Sequence, residues 1–166
     1  MKFRIACTAF VLLASIAHAQ TFPDRPIRVL VPFAPGGSTD ILARMLSGPL
    51  ANAWGQPVVV DNRGGAGGTV ASDMVSKSAP DGHFICVIAT PHVINPAVRK
   101  LPYDTVKDLA AVTLIGVSPL LISATPNLPA NTLPEFIAWA KSQGDKVSFA
   151  SYGAGTPSHF LGEMLN

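Results

Sequence analysis

Three stretches of the sequence combine glycine with hydroxyl side chains where an apolar run gives way to a helical pattern: Ala34 to Asp40, Asn62 to Thr69 and Tyr152 to Ser158. Glycine lets the main chain approach a bound molecule closely and adopt positive φ. A helix that starts just after the loop adds unpaired N–H groups and a partial positive charge. Ser38, Thr39, Ser151, Thr156 and Ser158 add hydroxyls. The combination suits a small anion held by main-chain and hydroxyl donors. Glycine-rich strand-to-helix turns are common, so one loop alone is weak evidence, and three together strengthen the reading. Asp40 admits a plainer role, as a first-turn acid that favours the helix dipole.

Other chemistries lack their residues. No phosphate-binding G-x-x-x-x-G-K-[ST] pattern occurs, and after Gly65-Ala66-Gly67 the dinucleotide fingerprint would need a glycine where Val70 stands. There is no G-x-S-x-G nucleophile elbow. His83, His92 and His159 are not paired at metal-ligand spacing with Cys, His or a carboxylate. His83 follows Asp81-Gly82 and reads as a turn residue, whereas His159 opens a helix after a glycine-rich loop and has a better claim on a ligand. No metal, cofactor or catalytic residue is expected. An enzyme using Asp40 or His159 as acid or base is a rival reading, but a paired nucleophile and base are missing.

The elements that must position these loops alternate. Ile27 to Phe33 reads as a buried strand, and Thr39 to Trp54 as a helix with Ile41, Leu42, Met45, Leu46 and Leu50 at helical spacing. Gly55 stops that helix, and Pro49 predicts a kink or a late break. Val58 to Asp61 is a second strand, followed by a helix to about Ser78, and Phe84 to Ala89 is a third strand. Thr90 to Thr105 is proline-rich and reads as irregular. Ala111 to Ala124 is long and apolar, broken by Gly116 and Ser118-Pro119, which suits a crossing between domains. Thr132 to Ser142 reads as a helix with a Thr132–Glu135 capping box and Leu133, Phe136, Ile137 and Ala140 on its apolar face. Val147 to Ser151 reads as a strand and His159 to Asn166 as a helix. The pattern predicts α/β architecture with a parallel sheet and helices on both faces.

The N-terminus carries a leader signature. Lys2 and Arg4 precede the apolar stretch Ile5 to Ile16, and Ala17-His18-Ala19 predicts cleavage before Gln20. All ten acidic residues and ten of the twelve basic ones lie beyond Ala19, so the mature chain is close to neutral. That argues against nucleic acid or an anionic membrane as partner. Beyond the leader the only cysteine is Cys86, set in the apolar run Phe84 to Ala89, where it reads as a small buried hydrophobe.

Several ordered motifs resemble one family. They are Phe22-Pro23 with Arg25-Pro26-Ile27, then Val31 to Asp40, Val60 to Gly68, Ala79-Pro80-Asp81-Gly82, and Ser148 to His159. Together the chain resembles the Bug or TctC-like family, the extracytoplasmic receptors of tripartite tricarboxylate transporters, from its leader through Asn166. The resemblance implies a periplasmic binding-protein fold of two Rossmann-like lobes closing as a flytrap. It also implies a small carboxylate ligand, a membrane permease partner and a monomeric, periplasmic receptor. The carboxylate is expected on the first loop, Pro35, Gly36, Gly37, Ser38, Thr39 and Asp40 after Phe33, through amides, hydroxyls and bridging waters. The second lobe's contribution maps onto Ser151, Gly155, Thr156 and His159 within Ser151 to His159, and Thr90-Pro91-His92 is a weaker carry-over. Members of ordinary two-domain size are roughly twice this length. The chain therefore reads as a leader (1–19), a first lobe (20–118) and a second lobe (119–166) left incomplete by C-terminal truncation. A sensory subunit for a two-component system is the other function this fold would serve.

Overall fold

In the computed structural model, residues 21–165 are described. The leader and its cleavage after Ala19 lie outside the described residues. Three β-branched runs form parallel strands: β1 (Ile27–Val31), β2 (Val58–Asn62) and β3 (Phe84–Cys86), in the order β2-β1-β3. β1 takes the centre because it is apolar toward both faces: Ile27, Val29, Leu30 and Val31 are all buried. Val29 pairs with Val60 on one side and with Ile85 on the other.

Helices cover both faces. Helix α1 (Ser38–Trp54) packs Ala43 onto Ile27, Val29 and Val31, with Trp54, Val58, Val60, Ile85 and Val87 around them. Helix α2 (Thr69–Ser76) lies over β1 and β3 with Ala71 and Ser72 buried. Ser72 lies beside Cys86, whose register partner is Leu30, so α2 takes the face opposite α1. Helix α3 (Pro91–Val98) follows β3, and helices α4 (Leu133–Gln143) and α5 (Pro157–Leu165) come later, neither with a buried residue.

Several expectations are corrected. The inward face of α1 is Thr39, Asp40 and Ala43, while Ile41 and Met45 are 50% and 67% exposed. A small residue at the closest approach lets the helix sit near the sheet. The helix continues past Pro49 to Trp54 and ends on Gly55 in the left-handed region, φ 65°. β3 stops at Cys86, with one more ladder bond from Val87 N–H to Leu30 O (3.0 Å) before the chain turns away. Part of the irregular stretch is helix α3. Pro91 occupies its first turn, where the missing N–H costs nothing. Val147 to Ser151 forms no strand, because no neighbouring strand among the described residues offers its backbone a partner. Ala111 to Ala124 forms no regular element either, and Val112, Val117 and Leu121 are more than 80% exposed. At α4 the Thr132 hydroxyl accepts the Glu135 N–H (3.4 Å) as expected, but Glu135 reaches back to the Asn131 N–H (2.8 Å), one residue beyond the usual box.

Candidate functional site

The first loop runs from the end of β1 into α1, and a closed hydrogen-bond network sets its shape. Asp40 is buried, with its carboxylate turned into the loop. Its Oδ2 accepts the Gly36 N–H (2.8 Å), and both its oxygens accept from Arg44 Nε (3.0 Å each). Asn62, at the end of β2, donates to Asp40 Oδ1 (2.9 Å) and to Phe33 O (3.1 Å), and accepts from Arg44 Nη2 (3.0 Å). Arg44, then the Gly36 amide, then Asn62 hold the Asp40 carboxyl down at about 2. A buried carboxylate saturated with internal donors would repel a second anion. The Asp40 side chain is therefore committed to shaping the loop.

The network leaves donors free elsewhere. Gly37 is the N-cap of α1 and makes no side-chain cap, and the first helical bond runs from Ile41 N–H to Gly37 O (2.9 Å). The amides of Ser38, Thr39 and Asp40 thus have no acceptor within the helix. Pro35, Gly36, Gly37 and Ser38 are exposed and Thr39 is buried.

The second loop closes on the first. Gly68, at φ +90°, stands where a Cβ would meet Pro32 Cβ at 3.2 Å, so a side chain there would be strained twice over. Pro32, Phe33, Gly67, Gly68, Ser72, Ile88, Ala89, Pro91 and His92 line a shallow cleft with room for at most about one water molecule. On its floor His92 Nε2 faces Thr105 O (3.2 Å) and Nδ1 faces Ser72 Oγ (3.3 Å). A carbonyl only accepts, so Nε2 carries the proton and Nδ1 accepts from the serine. Thr90 is exposed at the N-cap of α3.

The third loop meets the other two. The Tyr152 ring stands edge-on to Phe33, with centroids 6.4 Å apart. Thr156 is fully buried and its hydroxyl donates to Gly153 O (2.5 Å). Ser151 is exposed, and its Oγ accepts from Gly153 N–H (3.4 Å). His159 sits apart from the first loop: its Nε2 is 3.6 Å from Glu163 Oε1, and its ring lies between Phe149 and Phe160. The structure thus links the third loop to Phe33 through Tyr152 and sets Gly155 against Asn95 and Arg99, while the polar partner it gives His159 is Glu163 on its own helix. Sequence reasoning missed Arg44, Ser72, Asn95 and Arg99; it placed Asn62 at the start of the second loop and His92 in the Thr90-Pro91-His92 stretch without giving either a partner. The i, i+4 spacing of Asn95 and Arg99 was the available signal, but it lies in a stretch whose prolines argued against a helix.

Comparison with known proteins places this geometry. Residues 42–166 match the TctC family, described as tripartite tricarboxylate transporter family receptor. A UPF0065 protein of Bordetella pertussis is 40% identical over 98% of this chain and 50% of its own length. Protein BugT of the same organism is 39% identical over 94% of this chain and 50% of its own length. The chain spans about half the length of the curated relatives it matches. Among solved structures, MatC from Rhodopseudomonas palustris with bound malate superposes with a TM-score of 0.75 at 35% identity, over 87% of this chain and 51% of MatC. The periplasmic binding protein BugD gives 0.69 at 31% identity, over 87% and 48%. An R. palustris protein with adipate gives 0.63 at 27% identity, over 81% and 46%. The α/β layers are those of periplasmic binding proteins, and the chain belongs to the TctC family of tripartite tricarboxylate transporter receptors.

Proposed function

We propose that this chain acts as a periplasmic receptor that captures a small organic carboxylate for a tripartite tricarboxylate-type permease, by binding alone and without turnover. Residues 20–118 form one lobe and residues 119–166 belong to a second. The observation that carries this reading is the uncapped N-terminus of α1, with the Gly36 amide already taken by Asp40 and the amides after it free. Ser38 and Thr39 supply amides and hydroxyls to the carboxylate, while Phe33, Pro35, Gly36 and Gly37 bring the backbone to it. Ser151, Gly155, Thr156 and His159 form the second arm, and Thr90 borders the cleft. Malate and adipate, which two structural neighbours hold, are both small dicarboxylates, and they set the class to try first.

Titration calorimetry with malate, adipate, glucose and Mg²⁺ tests the reading. Binding of a carboxylate alone is expected. Binding of the sugar or the cation, with no response to any carboxylate, would sink it. A sharper probe is Ser38→Pro, which deletes one amide and one hydroxyl at a position where a helix tolerates proline. Gly37 already has the extended backbone that a following proline requires, φ −75° and ψ 166°. Affinity is expected to fall about tenfold or more, as for loss of a hydrogen bond to a charged group, with the melting temperature little changed.

A further inference from the structure

Helix α3 touches two of the three loops through Asn95 and Arg99, which lie one turn apart on the same face. Arg99 Nη1 donates to Ala66 O and Nη2 to Ala154 O, both at 3.0 Å. One planar guanidinium therefore bridges a carbonyl of the second loop and a carbonyl of the third. Asn95 is fully buried; its Nδ2 donates to Gly67 O (3.0 Å), and its Oδ1 lies against Gly155 with no donor. The fit leaves no slack. A Cβ at Gly155, where φ is +80°, would stand 2.8 Å from Arg99 Nη2 and 3.0 Å from Asn95 Oδ1. A Cβ at Gly67 would stand 3.2 Å from Ala154 O.

The first half of the third loop is otherwise open to solvent. Ser151 to Ala154 are exposed, and α5 beyond them buries no residue. Tyr152 adds an edge-on contact with Phe33. Among the described residues no carboxylate lies within salt-bridge distance of Arg99. Its charge is spent on neutral carbonyls, so it is better explained as a fork for two acceptors than as half of an ion pair.

We propose that Asn95 and Arg99 are the positioning residues that latch the third loop to the second, and so fix the span across which the receptor grips its carboxylate. This rests on the carboxylate reading above. Loosening the latch lowers the population of the binding-competent arrangement and weakens apparent affinity in proportion. Lysine offers a point charge in place of a planar fork, so Arg99→Lys keeps the charge and loses the bridge.

The test is hydrogen exchange by mass spectrometry on the wild-type chain, Arg99→Ala, Arg99→Lys and Gly155→Ala, alongside calorimetry with malate. Faster exchange is expected in residues 64–69 and 151–158 for all three variants, with residues 27–31 unchanged. Malate affinity is expected to drop about tenfold in Arg99→Ala. Wild-type exchange at 151–158 in Arg99→Ala would overturn the latch, and so would full protection in Arg99→Lys. If the wild type binds no carboxylate, the receptor reading fails, and the exchange data still decide the latch.

Discussion

Asp40 is tied to a main-chain amide, a guanidinium and a side-chain amide at once, and this has a consequence in acid. Its folded pKa of about 2 lies below the ordinary carboxylate value of about 3.9. As pH falls, the unfolded chain takes up the proton first. The stabilisation from this group is therefore whole above about pH 4 and is lost between about pH 4 and 2. Asp81, lowered chiefly by the His83 amide, and Asp104, lowered chiefly by the Lys107 and Val106 amides, add to the same acid slope. Urea midpoints measured from pH 5 to 2 should fall steeply for the wild type and less steeply for Asp40→Asn, which should also be the less stable protein at pH 7. An equal slope in both would contradict the network. The sequence pointed to Asp40 through its place in a first helical turn. Its partner Asn62 lies 22 residues away, and a bond across that separation leaves no trace in local pattern.

At the level of elements, periodicity and β-branching were enough to locate all three strands and most helices. The failures have specific physical sources. Helix α3 carries Pro91 and Pro96, and proline was read as a breaker although Pro91 stands in the first turn, where it is favourable. Val147 to Ser151 has strand composition, but a strand exists only when a neighbour completes its hydrogen bonds. The face of α1 was assigned from its largest apolar residues, while the sheet selected the smallest at the contact. Thermal or urea unfolding checks this directly. Leu30→Ala, at the fully buried centre of the sheet, should cost about 2–5 kcal/mol. Met45→Ala on α1 should stay within about 0.5 kcal/mol, as expected for an exposed side chain.

For the molecule as a whole, the layer order was legible because alternating strands and helices admit few other arrangements. How 119–166 packs was not legible, since α4 and α5 show amphipathic patterns yet bury nothing, and Val112 to Ile122 exposes its apolar side chains. Burial is concentrated around β1, and that gives Cys86 an unassigned use. Burial pushes its thiol up to about 12, so the reactive thiolate is scarce near neutral pH. An alkylating reagent therefore reacts much faster when β3 leaves the sheet and the thiol returns toward its ordinary pKa. In the chain freed of residues 1–19, Cys86 is a single built-in clock. Its alkylation rate reports openings of the three-stranded sheet, and ligand that stabilises the fold should slow it.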